Sequence, residues 1–211
     1  MKPRVILITG ANRGNFVSIG KGLAAEYLAM SGTTVVATVR DASAQNASQL
    51  SSLPKGQNKR LIMVRLSLDA PSTVTEAIEQ IQKQNLVHHV DIVIANAGIC
   101  NHWGPVLHMN DSDLTSHFEI NELGPLRLCR AAAPLLESSK EPRFVYLSSE
   151  LASITGLENS SSLTAGYGIS KVACNYLVKK LHEEHKALIA FSIDPGEVLP
   201  PLFASNDSSC F

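Results

Sequence analysis

No stretch of this 211-residue chain stays apolar for long enough to span a bilayer, so a membrane is not an expected partner. No block of basic residues occurs, and the formal net charge is −1, which argues against nucleic acid as a ligand. There is no Cys-x-x-Cys pair. Cys100, Cys129, Cys174 and Cys210 are scattered, and the simple expectation is core thiols in a reduced, cytoplasmic compartment. No repeat or low-complexity linker divides the chain. Met1-Lys2-Pro3-Arg4 leads straight into the first apolar run, so no secretory leader is expected. A metal-ligand set is also missing. His182 and His185 are three apart on a polar helix end without a third ligand, and His88, His89 and His102 fall in loops. Solvent exposure is expected of all five. What remains, 45% hydrophobic and 18% charged residues, suits one globular α/β domain with a sizeable core.

The feature that organises the chain is at its start. Val5-Ile6-Leu7-Ile8 is a buried strand by composition. It stops at Thr9-Gly10-Ala11-Asn12-Arg13-Gly14, and residues 19–28 read as an amphipathic helix opening with Ile19-Gly20. Strand, glycine-rich turn and helix together are the opening of a dinucleotide-binding βαβ unit. Glycine matters there because a Cβ would keep a pyrophosphate from the backbone N–H groups. The helix N-terminus supplies further donors and partial positive charge. A P-loop is excluded: the glycines are one residue too far apart, and Gly22 stands where a Ser or Thr should hold magnesium.

The same rhythm continues. Strands are expected over residues 33–39, 61–66, 90–95, 144–147 and 188–193. Helices are expected over 41–52 (weak), 72–85, 114–136 (interrupted near Gly124-Pro125) and 165–185. This alternation predicts a Rossmann-type doubly wound parallel sheet with helices on both faces, spanning residues 1–198, and an irregular tail over 199–211. Ligands of such sheets bind beyond the carboxyl ends of the strands. The second strand ends in Arg40, which suits the 2′-phosphate of NADP, whereas NAD calls for an acid there; Arg13 is a second candidate for that phosphate.

One pair could do chemistry. Tyr167 and Lys171 are four apart at the start of a helix, hence on one face. A nearby ammonium favours a phenolate, which would make the tyrosine a usable acid near neutral pH. The alternative for such a pair is a solvated helix surface.

Tyr167-Gly168-Ile169-Ser170-Lys171 resembles the Tyr-x-x-x-Lys signature of the short-chain dehydrogenase/reductase family, and its companions appear in order. Thr9-Gly10-Ala11-Asn12-Arg13-Gly14 with Ile19-Gly20 resembles the cofactor turn. Asn96-Ala97-Gly98 is similar to the segment that supports the sheet against the cofactor. Asn121 matches the helix asparagine that helps hold a relay water for the lysine, and Ser149 the serine that bonds the substrate carbonyl. Pro195-Gly196, with Val198 beyond it, matches the turn near the nicotinamide. The resemblance implies reduction of a small-molecule carbonyl compound with NADP(H), and a homodimer through the long helices. The wording around Thr9 and Val39-Arg40-Asp41 looks most like the fungal aromatic-polyketide ketoreductases related to norsolorinic acid reductase.

Four departures stand beside it. Residues 15–18 are extra in the cofactor turn. Ser67 replaces an aspartate near the adenine, with Asp69 two residues later. Pro200 replaces a threonine that holds the nicotinamide amide. The family's substrate-covering helix and last strand are not visible, so a sheet edge should be exposed. Two readings follow: an NADPH-dependent carbonyl reductase using Tyr167, Lys171, Ser149 and Asn121, or a non-redox protein of the same fold, a pseudoenzyme or an altered or truncated form.

Overall fold

The computed structural model describes residues 3–12, 19–41, 45–53, 59–84, 86–159 and 163–196. Six parallel strands form one sheet: β1 (Arg4–Ile8), β2 (Thr33–Val39), β3 (Arg60–Arg65), β4 (Ile92–Ala95), β5 (Arg143–Leu147) and β6 (Ile189–Ile193). Their order is β3-β2-β1-β4-β5-β6. The chain therefore reverses its direction of travel across the sheet between β1 and β4, and a crevice opens where those two strands end.

Helices α1 (Ile19–Ala29) and α2 (Gln45–Ser51) lie on one face, with Ala24, Leu28 and Leu50 packed on Ile6, Ile8 and Val35. The other face is covered by α3 (Pro71–Lys83), α5 (Gly124–Glu137) and α6 (Ala165–Glu184), through Ile78, Ile81, Leu128, Leu135 and Val178. Strands buried on both sides must be apolar throughout, as Ile6, Leu7 and Ile8 are. Each contributes about 1.5–3 kcal/mol of burial.

Strand boundaries differ from the expected ones by at most two residues. The long helix differs more. It opens as α4 (Asp111–Phe118), earlier than expected, because the Asp113 carboxylate accepts the Asn110 N–H at 3.2 Å and caps the start. It then passes through a π-turn, Glu119–Leu123, before α5. Pro125 is the cause: it has no N–H for the carbonyl of Asn121, so the ladder slips and Gly124 N–H reaches back to Glu119 O. At β6, Ile189, Phe191 and Ile193 are 42%, 39% and 42% exposed, and no described strand pairs with its outer edge. The expected tail lies outside the described residues.

Candidate active site

The crevice is built first by Thr9, which follows β1 and is fully buried. Its Oγ1 accepts the N–H groups of Asn96 and Ala97, each at 3.0 Å. Asn96 Nδ2 returns two bonds, to the carbonyls of Thr9 (2.8 Å) and Gly10 (3.3 Å). The ends of β1 and β4 are thereby locked together. Gly10 takes φ +65°, and a Cβ there would lie 3.0 Å from Ala97 Cα. At Gly20 a Cβ would come within 2.7 Å of both the Gly10 carbonyl and Asn96 Nδ2, so only glycine lets α1, which starts at Ile19, press on the turn.

Next to this turn lies an open cleft lined by Gly10, Asn12, Arg40, Ser67, Asp69 and Ala97. Arg40 is exposed at the end of β2. Asp69 does reach the cleft, where its carboxylate accepts the Ser67 hydroxyl. The cleft wall carries Gly10 and Asn12 from the glycine turn and Arg40 from the end of β2, a lining that suits an anionic dinucleotide. Pro195 and Gly196 are exposed just after β6, with Gly196 at φ +67° and its N–H bonded to Asp194 Oδ1 at 3.0 Å. Arg13, Gly14, the extra residues 15–18, Val198 and Pro200 lie outside the described residues.

Tyr167 and Lys171 share the inner face of the first turns of α6. Lys171 is 4% exposed. Its Nζ is 5.3 Å from the centre of the Tyr167 ring and 4.6 Å from that of Tyr146, and it donates to Leu147 O at 2.5 Å. Burial pushes its pKa down to about 8, with no carboxylate opposing the shift. A Cβ on Gly98 would be 3.7 Å from this Nζ, so the ammonium sits one residue from cleft-lining Ala97.

Asn121 ties the elements together from the π-turn. Its Oδ1 accepts Ile99 N–H at 2.7 Å, and its Nδ2 donates to Ile99 O (2.8 Å) and Ser170 Oγ (3.0 Å). Its own carbonyl accepts the Tyr146 hydroxyl at 3.0 Å. Ser149 follows β5, half-buried, and its Oγ accepts Leu151 N–H at 3.3 Å, capping the short turn Glu150–Ala152. That turn meets α6 closely: a Cβ on Gly168 would be 3.0 Å from Leu151 O. The loop carrying Ser149 is thus brought against the turn carrying Tyr167, despite their long separation in sequence.

Tyr146 is the residue that sequence reasoning missed. Strand alternation gives its face, shared with Phe144, but not its partners across the sheet. Three of the five histidines also differ from expectation. His89 lies 3.4 Å from Asp91 and His102 3.6 Å from Asp113, both half-buried, and His182 Nδ1 lies 3.1 Å from Leu188 O. Local backbone and carboxylates hold them, whereas His88 and His185 are exposed. Beyond Tyr167, Gly104 N–H bonds Leu163 O at 2.9 Å, joining the loop after β4 to the segment before α6. Trp103, Leu107, Ile154, Leu157 and Leu163 stand exposed on these loops.

The family model described as short chain dehydrogenase matches residues 4–209. The norsolorinic acid ketoreductase of Dothistroma septosporum is 38% identical over 200 residues, covering 93% of this chain and 73% of that one. A short chain dehydrogenase of Penicillium aethiopicum is 39% identical over 199 residues, covering 93% and 76%. Among solved structures, the NADPH-bound carbonyl reductase from chicken fatty liver superposes with a TM-score of 0.82 at 27% identity, over 99% of this chain and 82% of that one. The six-stranded parallel sheet is of the same Rossmann type, and the chain belongs to the short chain dehydrogenase family of oxidoreductases.

Proposed function

We propose that this chain is an NADPH-dependent reductase that converts a ketone to an alcohol. The observation that carries the reading is the placement of the Lys171 ammonium between the rings of Tyr146 and Tyr167, one residue from the cleft wall. Thr9, Gly10, Asn12, Gly20, Asn96, Ala97 and Gly98 would hold the cofactor, with Arg40 at its 2′-phosphate. The bound nicotinamide supplies the hydride. Tyr167 gives its proton to the carbonyl oxygen, and Lys171 favours the phenolate that is left and meets the ribose. Ser149 orients the carbonyl by hydrogen bonding. Asn121 keeps lysine helix and cofactor loop in register and holds the relay water.

The apolar rim around Trp103 and Leu157 suits an aromatic, polyketide-derived substrate, and the ketoreductase relatives point the same way. The same reading places the protein in the cytoplasm as a homodimer through α5 and α6. Among the described residues no helix is long and apolar enough to cross a membrane. The family match and the ketoreductase relatives favour this reading over a non-redox binding protein.

The test is calorimetric titration with NADPH and NADH, followed by NADPH consumption with a panel of aromatic ketones. Absence of NADPH binding at about 1 mM, the weak limit of specific association, would remove the reading. Arg40→Ala should weaken NADPH about tenfold and leave NADH unchanged, as expected for one charge-assisted phosphate contact of about 1.5 kcal/mol. Equal losses for both cofactors would show that Arg40 does not meet the phosphate.

A further inference from the structure

Lys171 presents an electrostatic problem that the proposed mechanism does not address. Its ammonium is buried, yet no carboxylate compensates it among the described residues. The groups that face it are aromatic rings and thiols. Tyr146 comes from β5, and burial pushes its hydroxyl far above the usual phenol range. Cys174 comes from α6, and burial pushes its thiol up to about 12. Tyr167 also comes from α6, and Cys100 from the loop after β4. Glu122, in the π-turn, is raised by burial and acts on Tyr146 and Cys174 rather than on the lysine. One carbonyl, that of Leu147, takes one ammonium proton.

Two ring faces add to this carbonyl. Tyr146 is nearer to Nζ than Tyr167 is, 4.6 Å against 5.3 Å. It is also completely buried, so water does not weaken its effect. Its hydroxyl has a separate task. Pro125 cannot donate to the Asn121 carbonyl, and the Tyr146 O–H does so from across the interior, at 3.0 Å. The Cys174 thiol lies against the same hydroxyl.

We propose that Tyr146 is a positioning residue of two parts: its ring keeps the Lys171 ammonium charged beside Tyr167, and its hydroxyl closes the π-turn that carries Asn121. The proposal adds to the reductase reading but concerns the apo protein. Its test therefore uses neither cofactor nor substrate and stands apart from that reading.

The experiment compares the unaltered chain with Tyr146→Phe and with pentafluorophenylalanine at position 146. Both variants keep a six-membered ring in the core, and the second reverses the charge distribution over its face. Lys171 is titrated by NMR of ε-¹³C-labelled lysine, assigned by its loss in Lys171→Met. The Phe variant should leave the Lys171 pKa within about 0.3 units, while hydrogen exchange in the π-turn accelerates. The fluorinated ring should lower the pKa by about one unit, the size of a buried cation–π contact. An unmoved pKa with the fluorinated ring would overturn the ring's part. Unchanged exchange in the Phe variant would overturn the hydroxyl's part.

Discussion

Tyr167→Phe should lower kcat by about 10²–10⁴-fold, the range of a positioned general acid, or about 3–5.5 kcal/mol of barrier. The change removes one oxygen and keeps the ring. That ring faces the Lys171 ammonium at 5.3 Å, so the lysine should keep its place. The proposed cofactor contacts come from another part of the chain, the turn that Thr9, Gly10, Gly20 and Asn96 hold together, and should be untouched. NADPH affinity should therefore be unchanged while turnover collapses. Single-turnover NADPH oxidation with an accepted ketone, beside a fluorescence titration of NADPH, separates the two quantities. Retention of turnover within about tenfold would mean that another group donates the proton. Ser149→Ala is a poorer probe, because its hydroxyl also caps the turn Glu150–Ala152 through Leu151 N–H.

The sheet was legible because parallel strands covered on both faces must be apolar runs, and runs such as Val5 to Ile8 are easily seen. The βαβ rhythm gave the parallel, doubly covered sheet, whereas the order of its strands came from the structure. The site was legible where a spacing has a mechanical reason. Tyr167 and Lys171 meet because four residues make one helical turn, and Gly20 is needed because a helix presses on a turn. What was not legible is contact at a distance in sequence. The interruption expected at Gly124-Pro125 falls one turn earlier, since a proline's missing N–H is felt at the carbonyl four residues before it. The donor that meets this carbonyl is Tyr146, twenty-five residues onward on a strand, and no local pattern announces that pairing. The same holds for Ser149, placed against α6 by the Gly168 and Leu151 contact rather than by its spacing from Tyr167. The histidines were misjudged for the same reason: loops and helix ends expected to be wet supply carboxylates and carbonyls that pull His89, His102 and His182 inward.

Lys171→Met should abolish the proposed activity and yet stabilise the fold near neutral pH. In the folded chain burial lowers the lysine from 10.5 to about 8, whereas the unfolded chain keeps the ordinary value. Below about pH 8 both states carry the ammonium, and the folded state bears the full cost of burying it, about 3 kcal/mol. Between about pH 8 and 10.5 the unfolded chain holds the proton that the folded chain has released. More protons are bound when unfolded, so the stability due to this group rises with pH across that window. Methionine has a similar reach and no charge, so it removes the cost. It also leaves Leu147 O without its donor and ends the contact with the Tyr146 ring, together about 2 kcal/mol in the other direction. The net expectation is a variant more stable by about 1 kcal/mol at about pH 7 and less stable above about pH 10, where the lysine is neutral and its hydrogen bond to Leu147 O is the contact still lost. Urea unfolding at the two pH values measures both signs. A variant that is weaker than the parent at both would show that the lysine is held for stability, and that the buried charge is compensated more fully than by one carbonyl and two aromatic rings.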